Sequence, residues 1–426
     1  MDIELIILLS MLGSFLVCNV LFKLPVSLSM AIGAIVGALV GGYGVPVRHL
    51  FEGTFTYIDT VLIIATAMIF MTVIQQSGTM SALNAVIVTK FYKVPAIMLI
   101  LLMLIVMFPA AVTGSSTAAV LTAGSIVVPI LGTIGVPKKK IGAIIAIGAV
   151  LGMAAPPVNI PALLIAGGVD MPYIGFEKPL FFITIPVAIF TVLLLALKYC
   201  KNIDIESLKE SLDMETGKQY GFKLYLPILV LVVLLVVCRA FPKFIPNLGM
   251  PLTFLISAVV GLFTGKKFNL LHTCKDALKT TIPVLGKLMG VGMFIQIMTL
   301  TGARGWIVVS CLGLSTVLLY VAMCIVCPAF GAVSSYGSAS VLGVPFLLAL
   351  VSILPGGNQT VMAAALSCIV CMGDLMPPTA LAGNYAADLV KEKYPQVLKY
   401  CAIPFVVAIL YSITTLLLSG SLSFLG

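Results

Sequence analysis

Hydroxyl-rich segments interrupt two apolar stretches of the chain at corresponding places. Residues 109–119 read PAAVTGSSTAA, and residues 328–338 read PAFGAVSSYGS. Each is followed by a segment with two adjacent prolines, which we call the first break (residues 152–159, GMAAPPVN) and the second break (residues 373–379, GDLMPPT). Hydroxyl groups, the Asn159 amide and carbonyls freed by proline are oxygen ligands that suit hard cations, and N–H groups at a helix start suit an anion. The chemistry that these residues could perform is therefore the reversible binding of ions.

A duplication relates the two pairs of segments. Ser334 follows Ser115 by 219 residues (334 − 115), and Pro377 follows Pro156 by 221 (377 − 156). In hydrocarbon every backbone polar group needs a partner, so a break at membrane depth persists only where it lines a cavity or meets a ligand. The alternative is that Ser and Thr merely let helices pack closely. Because four breaks occur in two matched pairs, the pattern favours a ligand site of the kind found in secondary transporters.

Three ionisable residues lie within or beside apolar segments. Asp374 lies well inside one, where an ionisable group is unfavourable, and we interpret it as a cation ligand or a proton acceptor. The alternative is a carboxylate that is solvated beside an aqueous cavity. Lys287 could attract an anionic substrate, although extension of its side chain to the membrane interface is favoured. Arg304 is expected to anchor the chain at the external interface.

The composition excludes a water-soluble protein of this length. Hydrophobic residues make up 61% of the 426 residues and charged residues 9%, with a mean hydropathy of +1.21. The chain is therefore expected to be an integral membrane protein. Its net charge of +9 comes from basic residues in short loops between apolar spans, so no nucleic acid partner is expected.

The sequence contains no motif typical of an enzyme. It has no Walker A signature, no Ser/His/Asp arrangement and no zinc-binding helix motif. Two Cys-x-x-Cys pairs, at residues 324–327 and 368–371, lie in apolar segments, and we interpret these cysteines as small hydrophobic residues rather than zinc ligands. We therefore expect no enzymatic activity and no organic cofactor, and any transport would draw on an ion gradient or on another subunit.

The apolar spans and their interruptions predict an all-α polytopic membrane protein made of two repeats. Each repeat has three crossings, a re-entrant hairpin, a crossing broken at Pro-Pro and a terminal crossing. The first repeat covers residues 1–200 and the second covers residues 224–426. Between them, residues 201–223 are predicted to form an amphipathic cytoplasmic linker.

The boundaries of the predicted elements follow from the lengths of the apolar segments and from the glycines, prolines and polar residues that interrupt them. The hairpins are placed at residues 94–131 and 314–350, and the broken crossings at residues 141–167 and 361–387. The other crossings are placed at residues 6–21, 26–42, 61–75, 180–197, 224–237, 252–265, 282–300 and 402–418. Gly78 and Gly302, which follow the third crossing of each half, occupy matching positions, as do His49 and His272.

An odd number of net crossings in each half predicts that the second repeat enters the membrane upside down. This topology places 18 of the 24 basic residues on one side, which is then cytoplasmic, and both termini on the external side. The first hairpin then opens inward and the second opens outward. The basic residues assigned to the external side are Arg48, Lys178, Arg239, Lys243 and Arg304.

Several segments resemble the large membrane subunit of tripartite ATP-independent periplasmic (TRAP) transporters, within the wider ion-transporter superfamily. They are residues 114–118 (GSSTA), residues 135–138 (GVPK), residues 151–157 (LGMAAPP) and the C-terminal residues 394–405. The resemblance covers nearly the whole chain. It implies an elevator mechanism, in which hairpins and broken helices form a transport domain that slides against a scaffold.

The resemblance also implies which residues bind ions and substrate. A sodium ion would bind at each hairpin tip with the facing Pro-Pro break, and a carboxylate would lie between them. The implied inner sodium ligands are Ser115, Ser116, Pro156 and Asn159, and the implied outer ligands are Ser334, Ser335, Asp374 and Thr379. The implied substrate contacts are Thr113, Gly114, Thr117, Val158, Tyr336, Gly337 and Pro378. In such systems a small membrane subunit and a periplasmic substrate-binding protein complete the transporter in the bacterial inner membrane.

These observations predict a sodium-coupled importer subunit for small organic anions, such as C4-dicarboxylates or sugar acids. One alternative is a partner-independent carboxylate or citrate carrier of the same superfamily, or a cation/proton antiporter that uses Asp374. A different class, a non-transporting membrane scaffold or receptor, would require that the breaks bind nothing.

Overall fold

Helices dominate the computed structural model, which describes residues 2–200, 205–210, 212–240 and 248–425. Within these ranges no strand occurs, and nine helical stretches are long and apolar enough to cross a membrane. The predicted all-α polytopic fold is therefore confirmed.

The two halves of the chain contain similar elements in the same order. The helices of the first half are α1 (Ile3–Leu16), α2 (Val26–Val40), α3 (Val47–Phe55), α4 (Ile58–Gln76), α5 (Thr79–Phe91), α6 (Pro95–Thr113), α7 (Ser116–Ala119), α8 (Ser125–Thr133), α9 (Lys138–Ala154), α10 (Ile160–Gly168) and α11 (Glu177–Ala196). Those that follow are α12 (Ile205–Glu210), α13 (Met214–Tyr220), α14 (Leu226–Ala240), α15 (Gly249–Thr264), α16 (Leu270–Leu300), α17 (Ala303–Leu312), α18 (Thr316–Ser334), α19 (Val344–Ile353), α20 (Gln359–Cys371), α21 (Leu381–Leu389) and α22 (Tyr394–Leu417).

Polar side chains satisfy the first N–H groups of several helices. Asn159, Asn269, Ser315 and Asn358 each accept a hydrogen bond from the backbone N–H three residues later, at the starts of α10, α16, α18 and α20 respectively. These N–H groups have no partner within their own helix, and leaving them unpaired in an apolar environment is unfavourable. The caps therefore fix where these four helices begin.

Three short helices, α3, α5 and α17, were not predicted. Helices α5 and α17 each begin after a glycine in the left-handed region, Gly78 (φ 83°) and Gly302 (φ 76°). These glycines are the pair that the sequence matched at the end of the third crossing. The two short helices are therefore equivalent elements, too short to register as membrane crossings.

The third crossing of the second half is longer than predicted. The expectation that it begins near Ile282 is wrong, because α16 begins at Leu270, where Asn269 caps it. The charged residues of its first turns, such as Lys275 and Lys279, are exposed. In the first half the equivalent stretch is divided into α3 and α4. The last helix also begins earlier than predicted, at Tyr394 rather than Ala402.

The linker between the halves forms α12 and α13 within its described residues. Asp213 accepts a hydrogen bond from the Thr216 N–H at 3.1 Å, which caps α13, and pairs with Lys266 at 3.2 Å. Parts of the charge and linker predictions lie outside the described structure: residues 201–204, Ser211 and Lys243 wholly, and Ser207, Glu210 and Arg239 in their side chains.

The helices pack into two groups. One, which we call the frame, consists of α1–α4 and α14–α16, and α16 contacts α2, α3 and α4 within it. The other, the hairpin bundle, consists of α6–α11 and α18–α22, built around α9 and α20. Residues 141–154 of α9 and 361–371 of α20 are buried on every side, as expected for helices that are apolar all round. Helices α5 and α17 contact both groups.

Candidate functional site

The first hairpin reverses at a glycine that no other residue could replace without strain. Helix α6 ends at Thr113, and Gly114 adopts the left-handed conformation (φ 67°). A Cβ atom at Gly114 would lie 2.5 Å from the Ile160 side chain at the start of α10. Ser115 then accepts a hydrogen bond from the Ala118 N–H at 3.3 Å. We call residues 113–117 the first tip and residues 334–338 the second tip.

Each break is hydrogen-bonded to the hairpin of its own half at an equivalent carbonyl. The Val158 N–H donates to the Ala111 carbonyl at 3.0 Å. The Thr379 hydroxyl donates to the Ala332 carbonyl. Ala332 follows Ala111 by 221 residues (332 − 111), the same offset as the proline pairs. The duplication in the sequence is thus matched by a duplicated contact between hairpin and break.

Two further hydrogen bonds join the halves to each other. Ser116 Oγ of the first tip donates to Asp374 Oδ2 of the second break at 2.5 Å. The Tyr336 hydroxyl of the second tip donates to the Gly114 carbonyl of the first at 3.0 Å. Asp374 is only 7% exposed, so this contact lies inside the protein. The structure therefore brings Asp374 to the predicted inner ligand Ser116.

Asn159 organises the first break through all the polar atoms of its side chain. Its Nδ2 donates to the Ala154 carbonyl at 2.9 Å and to Ser367 Oγ at 3.0 Å, and its Oδ1 accepts from the Ala162 N–H at 2.9 Å. Because Ser367 belongs to α20, the contact also links the two broken crossings. In this conformation the amide fixes the backbone of the break.

A cleft of about 520 Å³ lies between the frame and the hairpin bundle. Five residues of the two tips and Asp374 line it on the bundle side: Ser115, Ser116, Thr117, Ser335, Tyr336 and Asp374. The frame contributes Met68, Met71, Thr72, Gln75, Gln76, Asp276, Thr280, Pro283, Val284 and Lys287. The cleft residues of α4 lie in its C-terminal half, and those of α16 lie between Asp276 and Lys287. The exposed Lys275 and Lys279 are on the same part of α16.

The other predicted site residues do not line this cleft. They are Thr113, Gly114, Pro156, Val158, Asn159, Ser334, Gly337, Pro378 and Thr379. Pro156 lines a separate, mainly apolar cavity of about 470 Å³ between α6, α11 and α14. Ser334 donates its hydroxyl to the Phe330 carbonyl at 2.8 Å, within its own helix, and Pro378 is exposed.

Lys287 points into the cleft rather than to the membrane interface, so the favoured interpretation of this residue is wrong. Its Nζ lies 5.8 Å from the centroid of the Tyr336 ring, a cation–π distance, and it interacts electrostatically with Asp374. Lys287 lies in the middle of α16, which runs from Leu270 to Leu300. The sequence prediction began this crossing twelve residues too late (282 − 270), which placed Lys287 near the start of the span.

Sequence reasoning also missed the polar residues that the frame presents to the cleft. Thr72, Gln75, Gln76 and Thr280 carry hydroxyl and amide groups there. The available signal was the pair of adjacent glutamines at the end of the otherwise apolar α4. It is weak, because glutamines at the end of a span are also typical of an aqueous interface.

Two contacts, one from the frame and one from α17, hold the bundle at the opposite end of α16 from Lys275 and Lys279. The Tyr57 hydroxyl donates to Ser340 Oγ at 2.9 Å in a buried position. Arg304 Nη2 donates to the Gly168 carbonyl at the end of α10 at 2.5 Å. A cation at the C-terminus of a helix interacts favourably with its carbonyls. Arg304, which was expected to anchor the chain at the interface, thus holds α17 against α10.

The oxygen atoms at the tips suit an alkali cation better than a transition metal. The tips and the second break offer hydroxyl, carbonyl and carboxylate oxygens, which hard cations prefer. Within the described residues no group of three or more His, Cys, Asp or Glu side chains lies close enough together to hold a metal ion.

Comparison with known proteins gives matches over most of the chain. The model of the family described as "Tripartite ATP-independent periplasmic transporter, DctM component" matches residues 12–421. Among solved structures, Neisseria gonorrhoeae MtrF, described as illuminating a class of antimetabolite efflux pumps, is similar with a TM-score of 0.64 and 14% sequence identity, covering 91% of this chain and 93% of that one. At this identity the likeness concerns the fold alone. No curated protein sequence matches this chain.

Proposed function

Because this chain belongs to the DctM component family of tripartite ATP-independent periplasmic transporters, we propose that it is the subunit through which a sodium-coupled importer moves small organic anions across the inner membrane. The observation that carries this proposal is the hydrogen bond between Ser116 and Asp374 beside the cleft. It joins the first tip to the second break at a place that a small molecule can reach from water.

The cleft supports a carboxylate substrate. Its volume of about 520 Å³ is within the range of small-molecule sites, and its walls carry charged, hydroxyl and amide groups beside apolar side chains. The Lys287 ammonium supplies the one charge between residues 280 and 300 of α16, and charges within membrane helices usually serve a substrate or an ion. Gln75 and Gln76 offer hydrogen bonds to hydroxyl or further carboxylate groups, as in C4-dicarboxylates or sugar acids.

Sodium coupling is proposed at the contacts between hairpin and break. In the first half the ligands would be the hydroxyl and carbonyl oxygens of Ser115 and Ser116, with carbonyls around Pro156 and Asn159. The Asn159 side chain would act there by holding the break in shape, since its polar atoms already have partners. In the second half the proposed ligands are Ser334, Ser335, Asp374 and Thr379.

An elevator mechanism agrees with the division into frame and bundle. The cleft lies along the boundary between them, so movement of the bundle would carry the tips from one side of the membrane to the other. The cleft is lined by Gln76 and Asp276, close to the lysine-rich end of the molecule. With that end in the cytoplasm, as the positive-inside rule requires, both termini are external and this conformation faces inward.

Family membership implies two partners. They are a small membrane subunit and a periplasmic substrate-binding protein, which would deliver the substrate from outside. In the present conformation the cleft faces inward. The chain would therefore receive substrate from the periplasmic binding protein only after the bundle moves outward.

Uptake by reconstituted protein tests the proposal. Proteoliposomes containing the chain, with and without its partner subunits, are given an inward sodium gradient and labelled carboxylates. We expect accumulation that collapses when sodium is replaced by choline. Accumulation that does not depend on sodium would contradict the coupling.

One observation favours a second candidate, coupling to protons. Asp374 is a buried carboxylate whose hydrogen bond to Ser116 could be broken and remade as it gains and loses a proton. Uptake or efflux driven by a pH gradient alone, and abolished in Asp374→Asn, would favour this candidate over sodium coupling.

A further inference from the structure

Two opposite charges face the same cleft from different parts of the molecule. Lys287 projects from α16 of the frame, and Asp374 belongs to the hairpin bundle. The two interact electrostatically but do not form a direct ion pair. The space between them is therefore bounded by a positive group on one wall and a negative group on the other. A second carboxylate of the cleft, Asp276, lies nearer the start of α16, where its Oδ2 is 2.9 Å from His272 Nδ1.

Each group has local support that fixes its place. Asp374 Oδ2 accepts the Ser116 hydroxyl at 2.5 Å, whereas Oδ1 accepts no hydrogen bond from the described residues. Lys287 Nζ lies 5.8 Å from the Tyr336 ring centroid, and the Tyr336 hydroxyl is itself bonded to the Gly114 carbonyl at 3.0 Å. The Ser116 hydroxyl thus connects Asp374 to the first tip, and Tyr336 lies between Lys287 and the same tip.

A simple anion does not match this pair of charges. Its carboxylate would be attracted by Lys287 but repelled by Asp374. A simple cation would be attracted by Asp374 but repelled by Lys287. A desolvated charge that is left without a partner is strongly unfavourable. A molecule that carries both charges pairs with both groups and leaves neither buried alone.

We propose that the cleft selects a zwitterionic small molecule, such as an α-amino acid, with its carboxylate on Lys287 and its ammonium on Asp374. This inference rests on the proposed function and narrows the carboxylate substrates to those that also carry a positive group. In this inference Asp374 pairs with the substrate ammonium, and the outer coupling ion would be left with the other proposed ligands, Ser334, Ser335 and Thr379.

The remaining walls suit the rest of such a molecule. Met68, Met71 and Val284 form an apolar surface, and methionine side chains adapt to ligands of different shape. Thr72 and Gln75 add hydrogen-bonding groups next to it. The cleft can therefore accept a side chain of mixed character beyond the two charged groups.

The inference is tested with ligands that share a carbon skeleton but differ in their charged groups. The full chain is reconstituted in nanodiscs, and sodium is present. Binding is measured by calorimetry for α-amino acids, for the matching acids without the amino group, for the matching amines and for C4-dicarboxylates. We expect at least one amino acid to bind about tenfold or more tightly than its matching acid and amine, the scale of one charge-assisted hydrogen bond. The inference is overturned if a matching acid or a dicarboxylate binds as tightly as every amino acid, or if no amino acid binds.

Substitutions of Lys287 and Asp374 test which charged group of the ligand each residue binds. Asp374→Asn should weaken amino acid binding about tenfold more than it weakens binding of the matching acid, and Lys287→Met should weaken the binding of both. Asp374→Glu and Lys287→Arg should retain the preference, which excludes misfolding as the cause. Asp388→Asn, on the helix α21 that follows the second break, and Lys279→Met, on α16, replace exposed charges as controls, and both variants should bind as the unaltered chain does.

A retained affinity for amino acids in Asp374→Asn, within about twofold, would overturn the assignment of the ammonium to Asp374. Failure of this inference is distinguishable from failure of the proposed function. Sodium-driven uptake of acids that lack an amino group would overturn the zwitterion and leave the transporter in place. Sodium-independent behaviour of every ligand in proteoliposomes would instead contradict the proposed function.

Discussion

Ser116 Oγ lies 2.5 Å from Asp374 Oδ2, across 258 residues of sequence. This single contact bonds the tip of one hairpin to the break of the opposite half. Hydroxyl donors to a buried carboxylate contribute more to stability than bonds between neutral groups, because the carboxylate would otherwise remain poorly solvated. The two halves of the bundle are therefore coupled at the wall of the cleft.

Replacing Ser116 with Ala should impair both stability and transport. The change leaves the buried Asp374 carboxylate without its donor, and we expect a loss of about 1–3 kcal/mol in the free energy of unfolding. Uptake should fall roughly tenfold. Thermal unfolding in detergent and initial uptake rates measure these effects. Ser125→Ala is the control, because that exposed hydroxyl bonds only to the Thr122 carbonyl in the turn before α8. Equal behaviour of the two variants would contradict the role of the contact.

Replacing Gly114 with Ala should disable the first tip. The left-handed conformation (φ 67°) disfavours alanine by about 1–2 kcal/mol, and the new Cβ would lie 2.5 Å from the Ile160 side chain. We expect reduced uptake and a lower unfolding temperature. Gly132→Ala provides the comparison, because a Cβ there meets no atom within 4 Å and the residue lies in a helix. A Gly114→Ala chain that transports normally would show that the tip tolerates a different backbone path.

Loosening the contacts of Tyr57 and Arg304 with the bundle, at the opposite end of α16 from Lys275 and Lys279, should change the balance between conformations. Tyr57→Phe removes the hydrogen bond to Ser340, and Arg304→Met removes the one to Gly168. Each bond is worth about 1 kcal/mol, which corresponds to roughly a fivefold shift of a two-state equilibrium. Hydrogen exchange of residues 339–343 should become faster in both variants. Unchanged hydrogen exchange of residues 339–343 would mean that these bonds do not hold the bundle against the frame and α17.

Acid should release α13 from its position beside α5. The hydrogen bond from Thr216 and the nearby Lys266 ammonium hold the pKa of Asp213 below its usual range. A carboxylate with a lowered pKa in the folded state stabilises that state above its unfolded pKa, about 3.9, and this contribution is lost as the pH falls through the folded value. Hydrogen exchange in α13 should thus accelerate only below about pH 4. In Asp213→Asn this pH dependence should be absent, and its persistence there would point to another group.

Some parts of the fold could be predicted because they follow from local sequence. The hairpins and broken crossings could be placed since Ser-Ser and Pro-Pro pairs recur at a nearly constant offset. Helices α3, α5 and α17 could not, because they are too short to register as spans and one of them carries Arg48 and Glu52. The start of α16 was missed because its first turns are charged and exposed, although Asn269 caps them.

Six of the fifteen predicted site residues line the cleft, and the connections among them were not predicted. Ser116 and Asp374 were singled out from their chemistry, yet they were assigned to different ion sites. Their contact depends on how the two halves pack, and no local pattern records that. The position of Lys287 likewise depends on the length of α16, since the error in the start of that helix moved the residue from the middle of the span to its edge.

Uptake into proteoliposomes under a sodium gradient, by the chain with and without its partner subunits, tests the central claim most directly. A panel of labelled carboxylates with and without an amino group is used. The account predicts uptake that requires sodium and that falls roughly tenfold in Ser116→Ala but not in Ser125→Ala. Uptake that proceeds equally without sodium, or that is unaffected by Ser116→Ala, would contradict it.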